Sequence, residues 1–201
     1  YPHIQIRFGK RQAAMGIIVF DSYFDLHDMA DYQWAVPVDL LLSVARRESE
    51  FDQYAKSSAG ALGLMQVMPG TAQEMAKNLK IPFEEESLVT SWKYNVLLGA
   101  TYLQELSYRY RGNPILIAAS YNAGPSNADK WIQHLGSPLD RKTNLVDWVE
   151  MIPFRETRNY VMRITESLTL YKTLVVGKEI DHEFSEFLRS SAYFSFTPQS
   201  E

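Results

Sequence analysis

Between Val38 and Ser49 the apolar residues Leu41, Val44 and Ala45 recur at helical spacing, and Glu48 follows them at intervals of seven, four and three residues. On a helix of 3.6 residues per turn these four share a face, so the pattern predicts a helix whose core-facing stripe carries one carboxylate. Asp39, Ser43, Arg46 and Glu50 fall on the opposite, wettable face, and Pro37 suits the start of the helix. Upstream, residues 1–35 are aromatic-rich and weakly patterned. Ile4, Ile6 and Phe8 alternate as a short strand does, and residues 15–26 have the length of a helix.

Downstream the punctuation is clearer. Thr71, with Glu74 three residues on, is placed as a capping box, and that helix closes near Leu79, before Pro82. Residues 92–110 read as one long helix with Val96, Gly99, Leu103 and Leu106 in a stripe, where Gly99 admits a close neighbour. Asn113 and Pro114 are a cap and a first-turn residue, and the helix they open stops at Ala123-Gly124-Pro125. Ser126 is placed to cap a helix through His134 that Gly136 ends, and residues 145–151 form a shorter helical piece before Pro153. A last helix runs to about Val175 and meets Gly177. Phe184, Phe187, Tyr193, Phe194 and Phe196 make residues 178–201 aromatic, so this tail is expected to pack rather than dangle. The expectation is a mainly α protein with little β structure, free of internal repeats and low-complexity linkers.

Composition narrows the function classes. The chain has 201 residues, 46% of them hydrophobic and 13% aromatic, enough for one substantial core. A net charge of −4 and the lack of any basic block argue against a nucleic-acid partner. With no cysteine, disulfides and thiol catalysis are excluded. His3, His27, His134 and His182 are scattered, and Glu84-Glu85-Glu86 reads as a solvated loop, so neither a metal nor a cofactor is expected. The longest apolar run, residues 13–20, is too short for a membrane span. The chain starts at Tyr1 without a signal peptide, which suggests a processed or excised piece.

Glu48 is the first candidate for chemistry. A carboxylate aimed with an apolar stripe loses hydration, and the negative end of its helix acts in the same direction. Both favour the protonated form that a general acid needs. The same position also suits an outward glutamate at a frayed end, or one paired with Arg47 or Lys56. Ordinary glycosidases use two carboxylates. Glu50 faces away and Asp52 lies in the following loop, so neither makes a convincing partner.

Glu48-Ser49, Ser57 and the run Gly60-Ala61-Leu62-Gly63-Leu64-Met65-Gln66-Val67-Met68-Pro69-Gly70-Thr71-Ala72 together resemble the catalytic (SLT) domain of bacterial soluble lytic transglycosylases. That family's pattern is Glu-Ser, about nine residues to a Ser, then Gly-Ala-x-Gly-Leu-Met-Gln-x-Met-Pro-x-Thr-Ala. Asn95, Gly99, Tyr102 and Leu103 match a second stretch, although core packing alone accounts for most of them. Tyr121-Asn122-Ala123-Gly124 matches a third, and 152–161, Ile-Pro-Phe-Arg-Glu-Thr-Arg-Asn-Tyr-Val, is typical of the large soluble subgroup, whose C-terminal domain this chain resembles. One departure is Gln53, where relatives often carry Pro.

The resemblance covers residues 36–172. It implies a lysozyme-like, goose-type-like helical domain with a cleft over 36–175, a satellite or lead-in at 1–35 and an aromatic extension at 176–201. The implied function is cleavage of the β-1,4 bond between N-acetylmuramic acid and N-acetylglucosamine in peptidoglycan, leaving a 1,6-anhydro end. Glu48 serves as acid and then as base. Ser57, Gly63, Met65 and Gln66 line sugar subsites, while Tyr121, its hydroxyl near the Glu48 carboxyl, and Asn122 sit near the reacting centre. Glu156 faces the peptide stem; a plain helix-end charge paired with Arg155 or Arg158 fits it as well. The partners implied are glycan strands with peptide stems, other cell-wall enzymes or other domains of a longer parent protein, in the periplasm or cell envelope. The competing readings are a hydrolytic muramidase on the same fold, a non-catalytic peptidoglycan-binding module, and a purely structural helical domain.

Overall fold

The structure, a computed structural model, describes residues 2–17, 19–177 and 184–189. It is mostly helical, and among the described residues β pairing is confined to isolated bridges of Leu62 with Lys56 and with Val67. Two compact units divide the chain, residues 1–102 and 103–201.

The first unit is built on α3, Val38–Ser49. Leu41, Val44 and Ala45 are buried, as the stripe predicts, but so are Asp39 and Ser43, which the pattern puts in solvent. Ser43 Oγ donates to the Asp39 carbonyl at 2.7 Å, so its hydroxyl is satisfied by its own helix once the rest of the unit covers this face. The helix is thus enclosed on every side over its first two turns.

The N-terminal segment corrects the sequence reading twice. Residues 2–14 form helix α1, Pro2–Ala14, not a strand. Ile4 and Phe8 are 60% and 57% exposed, and the helix seats on Ile6 and Gly9 instead, three residues apart rather than two. A three-residue alternation fits either period, and the packing decided. Among the described residues of 15–26 only the short α2, Phe20–Tyr23, is helical, and Gly16 turns the chain with φ +80° just after α1. A 3-10 turn at Asp28–Asp31 follows, where His27 Nδ1 accepts from the Met29 amide at 3.1 Å. Burial pushes the His27 imidazole below its ordinary range, so the ring is the neutral acceptor this bond needs.

Helix α4, Pro69–Asn78, begins two residues before the predicted Thr71 cap, and Met68 caps it without a side-chain bond. Pro69, with its φ already helical and no amide to satisfy, takes the first turn and leaves Thr71 inside the helix. After α5, Ser87–Thr90, the long α6, Trp92–Arg109, runs from the first unit into the second. Val96, Leu103 and Leu106 are buried along its stripe, and Met65 carbons lie 3.0 Å from where a Cβ on Gly99 would stand. Glu84, Glu85 and Glu86 are exposed, and no group of metal-ligating side chains occurs among the described residues.

In the second unit α7, Pro114–Ala123, is the central helix, with every residue from Pro114 to Ser120 buried. Asn113 caps it as expected, accepting from the Leu116 amide at 3.1 Å. Against it pack α8, Pro125–Leu135, and α10, Arg155–Val176, and between them lies α9, Leu145–Glu150. Gly124 and Pro125, not Ser126, start α8, again because proline presets the first turn. Gly177 closes α10 in the left-handed conformation. The short α11, Phe184–Arg189, reaches α7 through the Asn113 amide, which donates to the Leu188 carbonyl at 3.0 Å. The expected packing of Tyr193, Phe194, Phe196 and the Phe184 and Phe187 rings lies outside the described residues and side chains.

Candidate active site

Glu48 stands in the last turn of α3 and is partly buried. The chain leaves that turn abruptly. Glu50 and Phe51 are both left-handed, with φ +54° and +64°, a conformation costing roughly 1–2 kcal/mol for a residue bearing a Cβ. Such strain persists only where the surroundings over-determine it. Ser49 supplies part of the constraint, since its Oγ donates to the Leu64 carbonyl at 2.7 Å and so fastens the end of α3 to the loop that follows.

That loop, residues 52–68, is braced from inside. Gly63 donates to the Ala55 carbonyl at 2.8 Å, and Leu62 and Val67 exchange a pair of backbone bonds at 3.1 Å. The Gln66 amide nitrogen donates to the carbonyls of Ala55 at 3.0 Å and Gly63 at 2.8 Å, which holds Gln66 itself left-handed at φ +48°. Ser57 is exposed, and its hydroxyl accepts from the Ala61 amide at 2.9 Å to close the loop tip. Gly63 is buried at φ +73°, and a Cβ there would overlap the Leu88 carbonyl and the Asn95 amide. Met65 is fully buried, its side chain lying against Gly99 in the core rather than on an open surface. So of the four predicted loop residues, Ser57 faces solvent, Gln66 is half-buried, and Gly63 and Met65 shape the loop from beneath.

The neighbouring carboxylates are engaged elsewhere. Glu50 pairs with Lys10 and lies 4.0 Å from the Arg7 guanidinium, while Asp52 accepts from the Tyr54 amide at 3.0 Å. Neither is presented as a second catalytic acid.

The second unit holds the other three predicted residues. Tyr121 and Asn122 are partly buried in the last turn of α7, and Glu156 is exposed in the first turn of α10. Thr157, 2% exposed, donates from Oγ1 to Asn122 Oδ1 at 2.7 Å. The two sequence motifs are therefore joined directly, and this bond fixes the Asn122 amide. Arg158 donates to the Ile152 carbonyl at 2.7 Å, which anchors the turn before α10 instead of pairing with Glu156.

Three residues here were missed as site residues in the sequence. Asn95, fully buried, accepts from the Met65 amide at 2.7 Å and donates to the carbonyls of Leu62 at 2.9 Å and Leu88 at 3.0 Å. Ser49, whose Oγ reaches the carbonyls of both Ala45 and Leu64, and Thr157, bonded to Asn122, act likewise. Its match to a family stretch and an asparagine beside an apolar helix stripe are the signals that point to Asn95, since such a group, once buried, must be satisfied.

Comparison with known proteins identifies the family and the fold. Residues 25–144 match the Transglycosylase SLT domain family. The chain is 39% identical, over 83% of its length, to a Haemophilus influenzae protein provisionally named soluble lytic murein transglycosylase, of which the match covers 27%. It is 35% identical over 78% of its length to the soluble lytic murein transglycosylase of Escherichia coli K12, covering 24% of that protein. It thus spans about a quarter of the length of these relatives. Among solved structures, an inactive glutamate-to-glutamine mutant of the lytic transglycosylase Slt from Pseudomonas aeruginosa superposes with a TM-score of 0.74 at 29% identity, over 87% of this chain and 28% of that one. The 70-kDa soluble lytic transglycosylase in complex with bulgecin A gives 0.68 at 30% identity, over 79% of this chain and 26% of that one. The mostly helical fold is that of these transglycosylases and is lysozyme-like.

Proposed function

Since the chain belongs to the transglycosylase SLT domain family, we propose that it is the catalytic part of a peptidoglycan lytic transglycosylase, with residues 36–175 as the catalytic domain. The observation that carries this reading is Glu48, partly buried at a helix end that Ser49 fastens to the braced 52–68 loop, with Glu50 and Asp52 otherwise engaged. One positioned carboxylate suits a route that needs only one.

In that route the Glu48 carboxyl gives its proton to the glycosidic oxygen between N-acetylmuramic acid and N-acetylglucosamine, and the bond to the anomeric carbon breaks. The 2-acetamido group of the substrate stabilises the positive centre. The Glu48 carboxylate then takes the proton of the C6 hydroxyl, whose oxygen closes onto the anomeric carbon as a 1,6-anhydro ring. Glu48 ends protonated, as it began, and no water is consumed. Ser57 and Gln66 bind sugar, with Gly63 and Met65 giving the loop its shape. Asn122, its Oδ1 held by Thr157, offers its amide N–H groups to the glycan, and Tyr121 its hydroxyl. The place of action is the cell envelope.

Mass spectrometry of sacculus digests tests the route. The expected muropeptides are lighter by one water than hydrolysis products and have no end reducible by borohydride. Reducible ends as the main product would make the protein a hydrolytic muramidase, and no released fragments at all would leave a binding module.

Glu156 carries a separate expectation. An exposed carboxylate in a helix's first turn is an apt partner for the amine of a diamino acid in the peptide stem. Glu156→Gln is expected to lower activity on peptide-bearing glycan by about twofold to fivefold, less at high salt, with activity on stripped chains unchanged. Equal loss on both substrates would assign Glu156 to the fold or the chemistry.

A further inference from the structure

The family match begins at residue 25, yet residues 2–24 reach the end of the catalytic helix. Arg46, half a turn before Glu48, donates from its guanidinium to the Tyr23 carbonyl at 3.0 and 3.3 Å and lies over the Tyr23 and Phe24 rings, 4.8 and 4.3 Å from their centroids. Glu50 accepts from Lys10 on α1, with Arg7 4.0 Å away. Phe51, 4% exposed, meets the His27 ring at 5.4 Å between centroids. Three residues that bracket Glu48 are thus held by residues 7–27, on the stretch where Glu50 and Phe51 are left-handed. Helix α1 is itself fixed by buried Ile6 and by Gly9, where a Cβ would fall 2.6–2.9 Å from backbone atoms of Ser22 and Tyr23.

We propose that the N-terminal pair α1 and α2 is a positioning element for Glu48, with Lys10, Glu50 and Arg46 as positioning residues that hold the strained end of the catalytic helix in place. This rests on the transglycosylase reading for its effect on rate, but not for its effect on structure. A helix end left to itself frays, and a strained left-handed exit relaxes unless contacts forbid it. A carboxyl that must donate a proton to one atom and remove one from another tolerates little displacement.

The experiment uses Lys10→Glu, Glu50→Lys, the double exchange and Gly9→Ala, the last forcing α1 off its seat without touching a charge. Turnover of sacculi is measured beside deuterium exchange at the amides of Glu50 and Asp52, which donate to Arg46 and Ser49 at 3.2 and 3.0 Å. Each single variant is expected to lower kcat by about threefold to tenfold with KM unchanged and to speed exchange at both amides. The double exchange recovers most of the loss. Arg163→Glu, on the exposed Arg163–Glu166 pair, alters charge equally and changes neither measure. Unchanged amide exchange in Lys10→Glu and Gly9→Ala, or a double exchange that only adds the two losses, overturns the inference. If the wild-type chain proves inactive on sacculi, the transglycosylase reading fails, and the amide exchange still decides the inference.

Discussion

Glu48→Gln is expected to cut turnover of sacculi by on the order of 10²–10⁴ or more, since general acid catalysis alone contributes that much and the same carboxyl also serves as the base. Glutamine keeps the size and the polar end of the side chain, so the partly buried position at the end of α3 stays filled and the loop bonds from Ser49 and Gln66 are untouched. Circular dichroism and the melting temperature should therefore match the wild type, and sedimentation with sacculi should show binding retained. Clearance of sacculi by Glu48→Gln near the wild-type rate would end the one-carboxylate proposal.

Asn95→Ala should have the largest effect on stability. It removes three hydrogen bonds of 2.7, 2.9 and 3.0 Å from a fully buried position. Each bond has a net worth of about 1 kcal/mol, and the Met65 amide left without its acceptor adds roughly 1–3 kcal/mol. A loss of about 4–6 kcal/mol is a large share of the roughly 5–15 kcal/mol that holds a domain folded. For a chain of this size it lowers the melting temperature by on the order of 10 °C. The loop 62–66 should lose its shape first, so activity should fall at temperatures where the rest of the molecule is intact. A melting temperature within 2 °C or so of the wild type would mean that Asn95 is not the brace its bonds describe.

Asn95 also marks where local pattern stops being informative. Its place in a motif is visible in the sequence, but its partners lie 7, 30 and 33 residues away, and nothing local specifies them. What the sequence by itself determined was local: the span of α3, the Asn113 cap with Pro114, the stops at Gly124, Gly136 and Gly177, and the long α6. These follow from the helical period and from side chains that act on backbone groups within a turn. The motif around Glu48 and the fold it implies were legible for the same reason, as a run of adjacent residues. Tertiary structure alone decided that Ile6 and Gly9 seat α1 as a helix, and that Asp39 and Ser43 enter the core. It also joined Thr157 to Asn122 across 35 residues and Lys10 to Glu50 across 40. Burial and long-range bonding depend on which faces meet, and a period read within one helix carries no information about the surface that will cover it.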